Sequence, residues 1–309
     1  MFMPSVEFLK QDYVRQMRYH TAIMRKLIFC TLFVLLSIQM NALAMELTGL
    51  QDPESVIMDV ATGDYYISNV NGLDVDKDGN GYITKILKGE LVTVMRFIGD
   101  QETDHSLDAP KGMAIVGDKL YIADIDVVKC FFINTGKFDR QISMPDQESY
   151  MLTDVVSDGR GNLYISDTLN DAIYLVEGET DAASVFVQGP TLGGPYGLYY
   201  DKHANHLFVA ASKSGEIISI NQKMKIEVLK TGLAKLNGIF IDRSSDLFVA
   251  SMSQGEIYRI RSRGEGKLTL FQSGLDSPAN IALDSINETI LIPQRQADKV
   301  ISIDLISSI

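Results

Sequence analysis

The chain has 309 residues, 46% of them hydrophobic, with 40 acidic against 28 basic side chains and a formal net charge of −12. That length suffices for one large all-β domain or two small ones. A surface this acidic repels nucleic acid and anionic lipid, which argues against DNA binding, RNA binding and peripheral membrane attachment.

At the N-terminus, Arg25 and Lys26 precede an uncharged apolar run over residues 27–38, and Ala42 and Ala44 follow in A-x-A spacing. A basic start, a short apolar centre and small residues at the end make a secretory signal peptide over residues 24–44. The run is shorter than the roughly 20 residues a membrane span needs. Cys30 lies at the start of the run, not at its end where a lipoprotein site would place it. Residues 1–23 carry no signal logic of their own, so they read as a non-native extension, with translation starting at Met24. Cleavage after Ala44 predicts a periplasmic or secreted protein of residues 45–309, expected to be a monomer. Removing Lys10, Arg15, Arg18, Arg25 and Lys26 together with Glu7 and Asp12 leaves 23 basic and 38 acidic residues, a net charge of −15. Only Cys130 then remains, so no internal disulfide is available. It sits in the apolar run Val127-Val128-Lys129-Cys130-Phe131-Phe132 and reads as a buried, inert thiol.

An internal repeat dominates residues 45–309. Six segments open alike: Pro53-Glu54-Ser55-Val56, Pro110-Lys111-Gly112-Met113, Leu152-Thr153-Asp154-Val155, Pro195-Tyr196-Gly197-Leu198, Leu236-Asn237-Gly238-Ile239 and Pro278-Ala279-Asn280-Ile281. Their last residues are spaced by 57, 42, 43, 41 and 42. Each opening is followed by β-branched and aromatic runs separated by turn residues, such as Lys119-Leu120-Tyr121-Ile122-Ala123 and Glu216-Ile217-Ile218-Ser219-Ile220. No sustained helical periodicity appears. Four short strands in a unit of this length make a propeller blade. The fold class is therefore all-β: one six-bladed β-propeller of four antiparallel strands per blade. The last blade has only three strands of its own, so the N-terminal strand in residues 45–50 is expected to close the ring.

In a propeller the first strand of each blade lines a central channel. The loops entering each blade, and those between its second and third strands, open on one face. Glu54, Lys111, Thr153, Tyr196, Asn237 and Ala279 enter that channel, followed by Ser55, Asp154 and Asn280. Loops of the same face contribute Asn69, Asn71, Asp124, Asp126, Asp167, Asn170, Lys213 and Arg295. The extra length of the first repeat falls in residues 70–80, where it could cover the channel mouth. There Asp74-Val75-Asp76-Lys77-Asp78-Gly79-Asn80-Gly81 copies the front of a calcium loop, but its twelfth position is Lys85 instead of a bidentate Glu. A Gly/Asp-rich hairpin turn is the competing reading. His203 and His206 fall in a first-to-second-strand turn on the opposite face and read as a solvated turn. No phosphate loop, zinc cluster, G-x-S-x-G or H-E-x-x-H occurs.

The segments Pro53-Glu54-Ser55-Val56, Asn69-Val70-Asn71-Gly72, Ala109-Pro110-Lys111-Gly112-Met113-Ala114-Ile115 and Asp118-Lys119-Leu120-Tyr121-Ile122-Ala123-Asp124 resemble the superfamily of senescence marker protein, gluconolactonase and luciferin-regenerating enzyme. The resemblance implies a six-bladed propeller with one divalent cation, calcium preferred, that polarises a lactone or ester carbonyl. Glu54 matches the family's first metal ligand. Its Asn in blade four is Tyr196 here, its Asp in blade five is Asn237, and its Asn in blade three is Thr153 followed by Asp154. Glu54, Asn237 and Asp154 remain as the implied ligand set. Lys111, Thr153, Tyr196, Asn280, Asn71, Asp124 and Asp167 would line the ligand channel. Lys111 also offers itself as an ion-pair partner that neutralises Glu54 without a metal. Two functions stay open: a non-catalytic propeller that binds a small molecule or a periplasmic protein, and a divalent-metal hydrolase of a sugar lactone or similar ester.

Overall fold

The β-branched and aromatic runs of each repeat pair with their sequence neighbours, because antiparallel strands need only a short turn between them. The computed structural model describes residues 45–88, 92–99, 105–178 and 180–305. The expected signal peptide at 24–44 and the extension at 1–23 lie outside the described residues. Six four-stranded sheets result, five of them in sequence order. Blade one is Pro53–Met58, Tyr65–Asn69, Tyr82–Leu87 and Val92–Ile98. Blade two is Pro110–Val116, Lys119–Asp124, Val127–Phe132 and Phe138–Ile142. Blade three is Leu152–Ser157, Leu163–Asp167, Ala172–Val176 and Ser184–Gln188. Blade four is Pro195–Asp201, His206–Ala211, Glu216–Asn221 and Ile226–Lys230, and blade five Leu236–Ile241, Leu247–Ser251, Glu256–Ile260 and Leu268–Gln272. Helical structure among the described residues is confined to short 3-10 turns.

Blade six closes the ring as its missing strand predicts. Ala282–Asp284, Thr289–Gln294 and Lys299–Asp304 come from the end of the chain, and Glu46–Thr48 pairs with Lys299–Asp304 as the outer strand. Leu50, 2% exposed, then drops into the core between blades six and one beside Val56, Ile67, Leu291 and Val300. On the inner side, Ser55 and Asn280 form a parallel bridge, and the Asn280 N–H donates to the Glu54 carbonyl at 2.9 Å.

The hydrophobic core lies between blades, since each sheet is apolar on both faces. Tyr121, Cys130 and Ile142 of blade two pack on Val155, Ile165 and Tyr174 of blade three. Phe208 and Ile217 of blade four pack on Ile239, Val249 and Ile260 of blade five. Each fully buried aliphatic side chain contributes about 1.5–3 kcal/mol. Cys130 is fully buried, and burial pushes its thiol up to about 11, which keeps it unreactive at neutral pH.

Three glycines set how near the inner strands come to one another. A Cβ on Gly112 would stand 2.6 Å from Asp154 Cα, one on Gly197 2.1 Å from the Asn237 carbonyl oxygen, and one on Gly238 2.2 Å from the Ile281 nitrogen. Neighbouring first strands touch backbone to backbone there. The residues just before these glycines, Lys111, Tyr196 and Asn237, are left to fill the axis.

Candidate functional site

The opening residues of the repeats converge on the axis and are almost fully buried: Glu54, Lys111, Thr153, Asp154, Tyr196 and Asn237 are each at most 6% exposed. Glu54 stands at the centre. Its Oε1 accepts from the Tyr196 hydroxyl at 2.9 Å and from Asn237 Nδ2 at 3.1 Å. Its Oε2 lies 2.9 Å from Arg295 Nη1, an ion pair without the alignment of a hydrogen bond. Burial raises the Glu54 carboxyl above its ordinary range, and Arg295 opposes that rise. The same burial lifts the Tyr196 phenol far above its ordinary value, so it serves Glu54 as a neutral donor.

The cation at Glu54 is therefore Arg295, not Lys111. Arg295 follows the second strand of blade six, and every nitrogen of its guanidinium faces a carboxylate. Nε donates to Asp52 Oδ1 at 2.6 Å and Nη2 to Asp52 Oδ2; Nη2 and Nη1 reach the two oxygens of Asp74 at 2.9 and 3.4 Å. Burial works against its charge, but Glu54, Asp52 and Asp74 outweigh this and hold the pKa above the ordinary arginine value. Lys111 points instead to backbone: its Nζ donates to the carbonyls of Asp74 at 2.8 Å and Ala109 at 3.2 Å. Burial lowers its pKa, with Asp74 and Glu54 opposing. A guanidinium presents several donors in a rigid fork, which suits it to three carboxylates better than an ammonium.

Asp74 brings the long loop of blade one onto the mouth, as its position on this face predicts. Its carboxylate meets Arg295 and its carbonyl meets Lys111. Elsewhere in the calcium-like segment, Asp78 accepts from the Asn80 backbone N–H at 3.3 Å and its side-chain amide at 2.5 Å, and Lys77 pairs with Asp126. Asp74 and Asp78 thus turn to different partners, one to Arg295 and one to Asn80.

The remaining expected site residues divide into two groups. Asp154 is buried beside the axis; its oxygens accept from the N–H groups of Val155 at 2.9 Å and Leu198 at 2.8 Å, and Asn280 bonds it as well. Burial carries its pKa to about 7 against these hydrogen bonds. The Thr153 hydroxyl lies 3.0 Å from both Ser166 Oγ and Thr168 Oγ1, which themselves donate to the carbonyls of Tyr196 and Pro195. The second group holds loops and does not face the channel. Asp124 accepts from the N–H groups of Asp108 and Ala109 and from Lys129 Nζ. Asp167 accepts from the N–H groups of Met151, Leu169 and Asn170. Asn71 Nδ2 donates to the Asn80 carbonyl at 2.9 Å. Asn69 and Gln294 end the second strands of blades one and six, and likewise take the N–H groups of Gln51 and Asp276. In blades one, two, three and six the final residue of the second strand thus ties down the loop entering its blade, a recurring role that reads in sequence as a set of polar loop residues.

These residues do not fit a divalent cation. A hard cation wants several oxygen ligands with negative charge. Both Glu54 oxygens already meet donors, both Asp154 oxygens hold backbone N–H groups, and a guanidinium stands beside Glu54. The Asn237 Oδ1 is buried without a hydrogen-bond partner, but one neutral acceptor is no cation site. Among the described residues, no group of three or more His, Cys, Asp or Glu is arranged to hold a metal ion.

Above the plug lies an open cleft of about 850 Å³ over blades five, six and one. Asp52, Asp74 and Arg295 are part of its lining; Lys235, Gln254 and Asp276 belong to its rim. Sequence reasoning passed over Asp52 and these rim residues, although Asp52 directly precedes Pro53-Glu54 and so stands at the mouth of the first blade.

The fold and this axial site define a six-bladed β-propeller with an ion-paired plug. No protein-family model matches the chain, and no curated protein matches it. Solved structures do. A virginiamycin B lyase from Staphylococcus aureus is 18% identical with a TM-score of 0.61, covering 85% of this chain and 99% of that one. A catalytically inactive form of the same lyase, with one histidine replaced by alanine and with quinupristin, is 19% identical with a TM-score of 0.60. A streptogramin B lyase is 12% identical with a TM-score of 0.60, covering 84% of this chain and 96% of that one. At these identities the likeness shows the fold.

Proposed function

We propose that this protein is an exported, non-catalytic binding propeller that takes a small polar ligand in the cleft over blades five, six and one. The observation that carries the reading is the Arg295–Glu54 ion pair: the acid that the gluconolactonase resemblance assigns to a metal already holds an internal cation. No reacting group replaces it at the axis. Asp154 is bound up in backbone hydrogen bonds, and Tyr196 and Asn237 donate to Glu54.

The solved neighbours in fold are lyases, one of them inactivated at a histidine. In this chain His105 stacks on Phe138, with ring centroids 3.8 Å apart, and His206 lies within 3.4 Å of Ser219 Oγ at the far end of blade four. Among the described residues, neither of these nor neighbouring His203 lines the cleft, which speaks against a histidine-based elimination there. Export rests on the reading of residues 24–44 as a secretory signal peptide.

The test is thermal unfolding of the mature chain with a panel of sugars, amino acids, short peptides and organic acids, and with calcium or EDTA, alongside a lactone and ester hydrolysis assay. A ligand at about 100 times its Kd adds about 2.7 kcal/mol of stability. The reading expects such a shift from an organic ligand and none from calcium or EDTA. EDTA-sensitive lactone cleavage, lost in Glu54→Gln, would replace it with the hydrolase reading.

A further inference from the structure

The charged groups of the cleft divide into those spent inside the protein and those left over. Arg295 bonds both Asp52 and Asp74, and Asp298 Oδ1 accepts from the Asp52 N–H at 2.8 Å. Lys235, at the entrance to blade five, and Asp276, at the entrance to blade six, are exposed and line the same cleft. Neither side chain makes an ion pair or a hydrogen bond among the described residues, and they do not pair with each other.

Their carriers are fixed in one rim by backbone bonds. The Met252 N–H donates to the Lys235 carbonyl at 3.0 Å, the Leu275 N–H to the Gly255 carbonyl at 3.0 Å, and the Arg295 N–H to the Ser277 carbonyl at 3.2 Å. Lys235 and Asp276 therefore flank the loop of residues 252–255. That loop carries Gln254, a lining residue whose Oε1 accepts from Ser251 and Tyr258, so that its Nε2 is the amide atom left without a protein partner among the described residues. Met252 and Leu275 supply apolar lining next to it.

Resting on the binding reading above, we infer that the ligand is a short peptide with free termini, its carboxylate meeting Lys235 and its ammonium meeting Asp276. Lys235 and Asp276 are the two charged lining groups with no protein partner among the described residues, and a molecule with a negative and a positive end meets both, where a neutral or singly charged one does not. The amide of Gln254 suits a peptide carbonyl between those ends. The volume lies within the range of cavities that enclose ligands of this size.

Titration calorimetry of the mature chain with trialanine, N-acetyl-trialanine, trialanine amide and glucose tests this at low ionic strength. Trialanine is expected to bind, and blocking either end to weaken it about twofold to fivefold, the loss of one exposed ion pair. Lys235→Met should bind trialanine and its amide alike, and Asp276→Asn should bind trialanine and its acetylated form alike. Both substitutions lie on exposed side chains, and an unchanged melting temperature confirms intact folding. Equal binding of free and blocked peptides by the unaltered protein overturns the inference, as does no trialanine binding at millimolar concentration. Glucose binding that Asp276→Asn abolishes overturns the peptide and keeps the cleft as a binding site. Metal-dependent lactone cleavage is the separate result that removes the binding reading itself.

Discussion

Arg295 Nη1 of blade six and Glu54 Oε2 of blade one stand 2.9 Å apart across the seam where the two ends of the chain meet. The same guanidinium holds Asp52 and Asp74, so one side chain joins the first strand of blade one, the loop before it, the long loop after its second strand, and the last blade. The contact secures the ring and closes its axis with the same atoms.

Replacing Arg295 by Met leaves three carboxylates at the seam without their cation. Removing one partner from a buried pair costs about 3–5 kcal/mol, because the remaining charge is stranded. Urea unfolding is expected to show a loss of that order for Arg295→Met, with part of it recovered when Glu54→Gln is added. A loss under about 1 kcal/mol would mean that the cluster stabilises little.

Deleting residues 45–50 removes the outer strand of blade six and the buried Leu50. Truncation of a buried leucine alone typically costs about 2–5 kcal/mol. At about 2–4 °C per kcal/mol for a domain near this size, the melting temperature should fall by roughly 5 °C or more. Leu50→Ala is the milder companion; an unchanged melting temperature in the deletion would show that the ring does not need this strand.

The Asp154 carboxyl titrates near 7 in the folded protein against an ordinary 3.8. Between those values the folded state holds a proton that the unfolded state has released, so stability falls as pH rises through the window, by at most about 1.4 kcal/mol per pH unit. Glu54, raised in the same direction, adds to this slope. The protein is expected to melt higher at pH 5 than at pH 8, and Asp154→Asn to flatten the profile. A melting temperature that rises over this interval would contradict the buried state of Asp154.

Gly238→Ala tests the closeness of the inner strands. Its Cβ would lie 2.2 Å from the Ile281 nitrogen and 2.7 Å from Asn280 Cα, and backbone cannot swing aside as a side chain does. Overpacking of this kind costs about 1–3 kcal/mol. Chemical denaturation of the variant measures it; a neutral result would place the first strands further apart.

Much of this fold was legible in the repeat because a blade is made of local pairings. Strand alternation, turn residues and a period near 42 lie within one stretch of chain, and the strand that blade six lacked pointed to residues 45–50. The burial of Glu54, Lys111, Thr153, Tyr196 and Asn237 followed from their place in the period. Asp124 and Asp167 end the second strands of their blades, and in the structure their carboxylates accept from loop N–H groups; a polar residue at a loop reads alike in sequence whether it holds a neighbouring N–H or a ligand.

The amino-acid sequence by itself determined the number of blades, the strand that completes the circle and the residues sent to the axis, because each depends on patterns that recur along the chain. Only the tertiary structure decided which cation Glu54 meets. Lys111 and Arg295 both approach the axis, and the choice turns on the reach of each side chain, the fork of the guanidinium and the positions of Asp52 and Asp74 around it. Those are distances between segments far apart in sequence, brought together only when the ring has closed.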